Sequence, residues 1–329
     1  MRNLIVRLVR KLSRFIIIMT GQRLINGGTS MQYLITGGTG FIGLALIEVL
    51  LRSDHSVTVL SRQNKQGRAR LQYVSDLAAL GSDSRFDAVI NLAGASLAGA
   101  RWTKEYKKEI VSSRIETTRA LIDLLRRMEE PPSVLLSASA IGYYGHHGDE
   151  ALTEEGEITP GFSQDLCHRW EEAASAASKL GIRVCLLRLG VVLDRDGGAM
   201  VEMTRSFEFG IGSWLGNGRQ WLSWVHRSDV VAAMEFLLER DDLSGPFNIT
   251  APEPVTSRGF CDAMRRHKRT LLAASVPAPV IRLLVGEMAD ELLLKGQRVL
   301  PAKLQRAGFT FALPTLDQAL EDILADQGR

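Results

Sequence analysis

From residue 31 onward the apolar residues fall into two alternating patterns: short β-branched runs, and longer stretches with an apolar position every third or fourth residue. The short runs predict strands at Gln32–Thr36, Ser56–Leu60, Ala88–Leu92, Ser133–Ser137 and Ile182–Val192. The longer patterns predict helices from about Phe41 to Arg52, Thr103 to Met128 and Ser163 to Leu180. In the third helix Leu166, Trp170, Ala173, Ala177 and Leu180 share one stripe, and Gly181 stands where a left-handed helix-ending residue is wanted. Pro131 and Pro132 close the second helix before the next strand, because proline cannot donate to the helix ladder. Strand–helix alternation of this kind is the mark of an α/β fold, a doubly wound parallel sheet with helices on both faces.

Beyond Val192 the pattern loosens into glycine-rich loops, Gly197–Gly198 and Gly210 to Gly218, interleaved with Trp214, Trp221 and Trp224. Loops inserted at the C-terminal edge of such a sheet build substrate pockets, so specificity is expected there.

Composition changes the picture only at the start. With 45% apolar and 23% charged residues in 329, the chain is large enough for a substantial core. Its first thirty residues carry Arg2, Arg7, Arg10, Lys11, Arg14 and Arg23 and no acid. Without those six bases, 34 Lys+Arg face 37 Asp+Glu and the formal charge moves from +3 to −3, which gives no reason to invoke nucleic acid or an anionic membrane. The run Phe15 to Met19 falls far short of the ~20 residues a spanning helix needs. A basic, acid-free start suits an organelle presequence, a membrane-touching helix or an upstream start artefact; Met31, directly before a strand, favours the artefact or a disordered extension. A chain starting at Met31 is expected to fold and to melt within a few degrees of the full chain; insolubility would refute this. Cys167, Cys185 and Cys261 form no Cys-x-x-Cys pair and leave an odd count, so neither a disulfide framework nor a metal site is expected, and a cytoplasmic setting fits.

The chemistry begins at Thr36-Gly37-Gly38-Thr39-Gly40-Phe41-Ile42-Gly43, placed after a strand and opening a helix. Glycines at this spacing make a tight turn, let the backbone approach a pyrophosphate and let helix and strand pack closely, while the helix N-terminus offers unpaired amides. This is a Rossmann fingerprint, with Gly37, Thr39, Gly40, Phe41, Ile42 and Gly43 as expected cofactor contacts. At the end of the second strand, where an acid marks NAD, stand Ser61 and Arg62. Without a carboxylate to repel it, a 2′-phosphate can be bound by the guanidinium, so NADP(H) is the expected cofactor. The plainer alternative for Arg62 is a solvated arginine in a polar loop.

The fingerprint, the strand end Asn91-Leu92-Ala93-Gly94 and the stretch from Ser137 to Gly145 resemble the NAD-dependent epimerase/dehydratase superfamily of extended or atypical short-chain dehydrogenases/reductases. Arg101-Trp102-Thr103, Cys167 to Glu172, Gly218-Arg219-Gln220 and the tail through Gly296-Gln297-Arg298, Leu300-Pro301 and Ala307-Gly308-Phe309 are similar to its "epimerase family protein" subgroup with a DUF1731-like C-terminus. The resemblance runs from Met31 to about Ile323. It implies an NADP-binding Rossmann domain over residues 31–250, with inserted substrate loops and with Asn91, Ala93 and Gly94 beside the cofactor, and a smaller substrate-side domain over 251–329. It also implies a small-molecule substrate, no nucleic-acid or membrane partner, and leaves a homodimer open.

The superfamily's catalytic set is a serine plus Tyr-x-x-x-Lys, in which the lysine tunes the tyrosine as an acid/base. Ser139 matches the serine. Counted from Glu171, the tyrosine slot falls on Ser163, read as a helix N-cap, and the lysine slot on Cys167, read as a packing residue; Arg114 replaces the asparagine of the Asn-Val-x-Gly-Thr helix motif. The catalytic candidates left are Ser139, Tyr143 and Tyr144, although tyrosines in Gly-Tyr-Tyr-Gly equally suit a pocket wall. Glu154-Glu155 read as a solvated turn, His226 as a hydrogen-bonded structural histidine, and Arg188 as either an anion contact or part of a network. Two functions from different classes remain: an NADP(H)-dependent oxidoreductase or epimerase of a small carbonyl, hydroxyl or sugar-nucleotide-like compound, and a catalytically silent NADP(H)-binding regulatory module linked to redox state or cell division.

Overall fold

The structure, a computed structural model, describes residues 30–63, 65–195 and 197–325. The reading of residues 1–30 as an extension therefore lies almost wholly outside the described residues. From Gln32 onward the described chain forms one compact unit.

Seven parallel strands build the central sheet: β1 (Gln32–Thr36), β2 (Ser56–Leu60), β3 (Leu71–Val74), β4 (Ala88–Asn91), β5 (Val134–Ala140), β6 (Arg183–Leu189) and β7 (Gly245–Ile249). Their order is β7-β6-β5-β4-β1-β2-β3, the doubly wound arrangement in which the chain reverses direction between β1 and β4. Such a switch point leaves a crevice at the C-terminal strand ends, which is where ligands bind in open α/β sheets.

Helix α1 (Phe41–Arg52) packs with α4 (Arg227–Leu238), and α2 (Lys104–Arg127) with α3 (Phe162–Ser175). Leu34, Val89, Leu135 and Leu186 point to one face of the sheet and bury Leu121, Leu124, Leu125, Ala174 and Ala177 of the second pair and its 3₁₀ extension. Local signals place these helices. The Thr103 hydroxyl caps α2 by accepting from the Tyr106 amide, and Gly181, at φ +77°, ends the turn after α3 in the left-handed conformation.

Two expectations are revised, and two strands are added. The strand predicted at Ile182–Val192 leaves the central sheet at Gly190, where a Cβ would come within 2.6 Å of the Ser223 carbonyl oxygen; the chain then joins Trp224–His226 as Val191–Asp194. Sheet-edge strands β3 and β7 carry no distinct signal, being short, and β7 opens on Gly245-Pro246. The cap of α3 is Gly161, not Ser163.

A second core joins the inserted loops to the tail: Leu193, Phe207 and Trp224 pack with Phe260 and Met264 of helix Ser257–His267 and with Leu316, Leu320 and Ile323 of helix Leu316–Leu324. The tail is further pinned through its own backbone. Glu154 accepts from the Lys303 amide at 3.1 Å, and Asp229 from the Ala312 and Leu313 amides at 2.8 and 3.1 Å. Asn248 donates to the Leu300 carbonyl, Thr250 to Val299, Arg240 to Ala307, and Arg195 to Asp322 and Ile323.

Candidate functional site

At the switch point the glycine turn is built so tightly that side chains are excluded. Gly37 has φ +69°, and a Cβ there would come within 2.3 Å of the Leu92 carbonyl oxygen; a Cβ on Gly43 would come within 2.5 Å of the Gly37 carbonyl oxygen. Gly40 begins α1 with no side-chain cap, so the first-turn amides, including those of Phe41 and Ile42, have no side-chain acceptor. This is a cradle that fits a dinucleotide pyrophosphate, with half-buried Thr39 on its rim. Phe41 is held in turn. The Arg227 guanidinium lies 4.5 Å from its ring centroid, Asp194 binds that guanidinium at 2.6 Å, and Gly197 and Gly198 lie against the ring, where Cβ atoms would come within 2.8 Å.

At the end of β2, buried Ser61 folds its hydroxyl onto its own turn, accepting from the Gln63 amide at 3.1 Å. Arg62 then projects into solvent with no acidic residue at the strand end.

Asn91, expected beside the cofactor, lies at the end of β4. Thr36, Asn91 and Ser137 form a row across β1, β4 and β5. Within it the Asn91 side chain accepts from the Thr36 hydroxyl at 2.6 Å and donates to Thr118 and Ser137 at 2.8 and 3.1 Å. Asn91 is thus buried, its side chain engaged by three hydroxyls. Ala93 is half-buried and Gly94 exposed, and Gly94 lies on Arg114, whose Cζ would meet a Cβ at 2.9 Å. Arg114 donates to the Ile110 and Ala95 carbonyls, and burial pulls its pKa below the ordinary arginine value.

A second row, Ser139, Arg188 and Asn248, crosses β5, β6 and β7. Ser139 is 1% exposed and donates to Glu171 Oε1 at 2.6 Å. Glu171, from α3, also takes both edges of the Arg188 fork, at 2.8 and 2.9 Å. Burial opposes the Arg188 charge, but the bonds to Glu171 outweigh it and hold the pKa above its usual value. Arg188 donates further to the Tyr144 hydroxyl and the Glu154 carbonyl. It is thus the centre of a network, one of the two readings its position allowed.

The two tyrosines part here. Tyr144 is 0% exposed, donates to Asn248 Oδ1 at 2.6 Å, and its pKa is pushed up to about 12, chiefly by burial. Its proton is engaged by Asn248 inside the protein. Tyr143 is half-buried and lies on the Arg188 guanidinium, Cζ to ring centroid 3.5 Å, with His168 stacked 6.5 Å away. Its hydroxyl makes no hydrogen bond among the described residues.

Ser163, at the superfamily's tyrosine slot, donates its amide and hydroxyl to Glu291 Oε2 at 3.2 and 2.9 Å. Cys167, at the lysine slot, is enclosed, and burial pushes its thiol up to about 12. Glu154, expected in a solvated turn, is buried and accepts from the Asn248 and Lys303 amides; exposed Glu155 alone fits that expectation. His226 caps α4 by accepting from the Ser228 amide, a structural role as expected. The reading of single residues did not find Glu171 as the partner of Ser139. A carboxylate directly after Trp170 on a core-facing stripe was the available signal, since it demands a buried cation. Among the described residues no group of acids, histidines and cysteines can hold a metal ion, and no helix is long and apolar enough to cross a membrane.

Residues 33–250 match the NAD dependent epimerase/dehydratase family, and residues 276–323 match a domain of unknown function, DUF1731. An epimerase family protein of Staphylococcus aureus (strain MRSA252) is 39% identical over 300 residues, spanning 89% of this chain and 99% of that one. Among solved structures, the human epimerase family protein SDR39U1 (isoform 2) with NADPH superimposes with a TM-score of 0.81 at 30% identity, over 90% of this chain and 100% of that one. A nucleoside-diphosphate sugar epimerase from Corynebacterium glutamicum gives a TM-score of 0.73 at 29% identity, over 90% of this chain and 58% of that one.

Proposed function

Because the chain belongs to the NAD dependent epimerase/dehydratase family, we propose that it is an NADP(H)-dependent oxidoreductase or epimerase. Its substrate is a small carbonyl or hydroxyl compound, or one resembling a sugar nucleotide, handled in the cytoplasm. The cofactor supplies or accepts a hydride when bound. The observation that carries the reading is the cradle at Gly37 and Gly43, closed to any side chain, with Arg62 at the strand end where an acid would mark NAD. The relative solved with NADPH supports the same choice.

In this reading the α1 amides hold the pyrophosphate and Arg62 holds the 2′-phosphate. Ser139 and Glu171 fix the Arg188 guanidinium, and Arg188 carries Tyr143 on its face so that the phenol can deliver or take a proton at the substrate oxygen. Cofactor choice is tested by calorimetric titration. One charge-assisted contact contributes about 1.5–3 kcal/mol, so Arg62→Ala is expected to weaken NADPH about 10- to 100-fold and leave NADH nearly unchanged. Equal loss for both cofactors, or tighter NADH binding by the native chain, would refute the assignment.

A silent NADP(H)-binding regulatory module is the second reading, favoured by Ser163 and Cys167 in the slots of the tyrosine and lysine, the one bound to Glu291 and the other enclosed. NADPH consumption across a broad carbonyl and sugar-nucleotide panel separates the two.

A further inference from the structure

Exposed apolar side chains are concentrated rather than scattered. Of the ten large hydrophobic residues that stand exposed among the described residues, seven fall within residues 209–211 and 271–284. Phe209, Leu271, Leu272, Leu283 and Leu284 are each two-thirds or more exposed, and Ile211 and Val280 less so. The two stretches meet in space. Ile211–Leu215 and Leu272–Val276 form a two-stranded parallel ladder with Ile211 opposite Leu272, and the Leu271 amide donates to the Gly210 carbonyl at 2.7 Å. Directly after the ladder, helix Ala278–Val285 buries Ile281 and leaves Val280, Leu283 and Leu284, a single stripe at i, i+3 and i+4, facing out. Apolar patches of this kind mark contact surfaces.

The outer strand of the ladder is an edge without protection. The first four residues of Leu272–Val276 are exposed, and among the described residues the strand has a neighbour on one side only. Edge strands are ordinarily blunted by a lysine, a proline or a bulge. The register here runs without a bulge, the strand holds no proline, and residues 270–281 carry no charged side chain. The Leu272 amide reaches the Gly210 carbonyl and the Val276 carbonyl accepts from the Gly216 amide, so residues 272, 274 and 276 turn their backbone groups to the inner strand. By alternation Ala273 and Ser275 turn theirs outward, offering two donors and two acceptors to a further strand.

A lipid surface would leave those outward groups unpaired, and the uncharged strip gives a strongly acidic or basic partner nothing to pair with. A second copy of the same edge satisfies both conditions. With a two-fold axis through Ala274, that residue faces its own copy in a non-hydrogen-bonded pair with Cα atoms about 4.5 Å apart, a spacing that suits methyl groups. Ala273 then exchanges both backbone bonds with Ser275 of the second copy, and the contact closes on itself. Lys268 and Arg269 precede the strand and so lie at opposite ends of the pair, where like charges stay apart. At about 200 Å² for a fully exposed residue of this size, the seven hydrophobics offer on the order of 900 Å² per chain, against about 800 Å² per partner in a standard interface.

We propose that the chain forms a two-fold dimer through the edge of Leu272–Val276, joining two ladders into one four-stranded sheet flanked by Phe209, Leu271 and the outward stripe of the following helix. The dimer is independent of which function the cofactor cradle serves.

Sedimentation velocity of the full chain at micromolar concentration tests this. The native chain sediments as a dimer. Ala274→Lys, which sets two ammonium groups face to face, and Leu272→Glu each raise the dissociation constant about 100-fold or more and leave the circular dichroism spectrum unchanged, because both side chains are exposed in the single chain. Cys167, Cys185 and Cys261 are buried, so Ala274→Cys adds an accessible thiol; on mild oxidation it cross-links copy to copy, whereas Ile158→Cys, exposed on another loop, does not. A native chain that sediments as a monomer, a dimer that survives both charge variants, or a cross-link no faster at residue 274 than at residue 158 overturns the proposal. So does a monomer that floats with vesicles of phosphatidylcholine and phosphatidylglycerol, which would make a bilayer the occupant of the patch.

Discussion

Tyr143→Phe is expected to lower turnover by about 10²–10⁴-fold, the usual loss when a general acid is removed, while NADPH affinity and melting temperature stay close to native values. The change deletes only the hydroxyl; the ring keeps its seat on Arg188 and its stacking with His168. Once the substrate panel yields a reaction, the rate at saturating NADPH is compared across four variants. Tyr144→Phe should act through stability, because its hydroxyl joins Asn248 to Arg188 within the interior. Ser163→Ala and Cys167→Ala should retain turnover, since the first side chain is bound to Glu291 and the second is enclosed. Loss of activity in either of these two, with Tyr143→Phe unimpaired, would place the proton donor elsewhere.

The largest effect on stability is expected from Glu171→Ala. Arg188 is 3% exposed and both edges of its fork end on Glu171, so the variant strands a buried cation and frees the Ser139 hydroxyl from its acceptor. Breaking one side of a buried pair costs about 3–5 kcal/mol. For a domain of this size that corresponds to a melting temperature lower by roughly 5–15 °C. The double variant Glu171→Leu/Arg188→Met should recover much of the loss, because removing both charges also removes their desolvation cost. A single Glu171→Ala variant that melts within 1–2 °C of the native chain would show that Arg188 finds another counter-charge or water.

Both effects depend on contacts that a linear reading does not reach. The phosphate turn was legible because its requirement is local: each glycine answers to a neighbour in the same strand–turn–helix or to the adjacent strand end. The helix start at Thr103 and the end at Gly181 were legible for the same reason. Glu154 and Glu155 look alike in sequence, and what separates them is the Lys303 amide, 149 positions away, together with that of Asn248. Ser139 and Glu171 are 32 positions apart and meet only because β5 and α3 pack together. Tyr143 and Tyr144 are adjacent and chemically identical. Their opposite fates follow from the 3₁₀ turn Ile141–Tyr144, which sends one ring toward Asn248 and leaves the other on the exposed side of Arg188.

The tail is recognised largely by its peptide groups. Glu154 and Asp229 grip the amides of Lys303, Ala312 and Leu313, and Asn248, Thr250, Arg240 and Arg195 hold carbonyls that every amino acid possesses. Evolution can therefore rewrite many of the tail's side chains while its path over the rest of the molecule stays the same. Proline is the exception at residues 303, 312 and 313, because there the missing hydrogen would take from a buried carboxylate one of the two amides it accepts from.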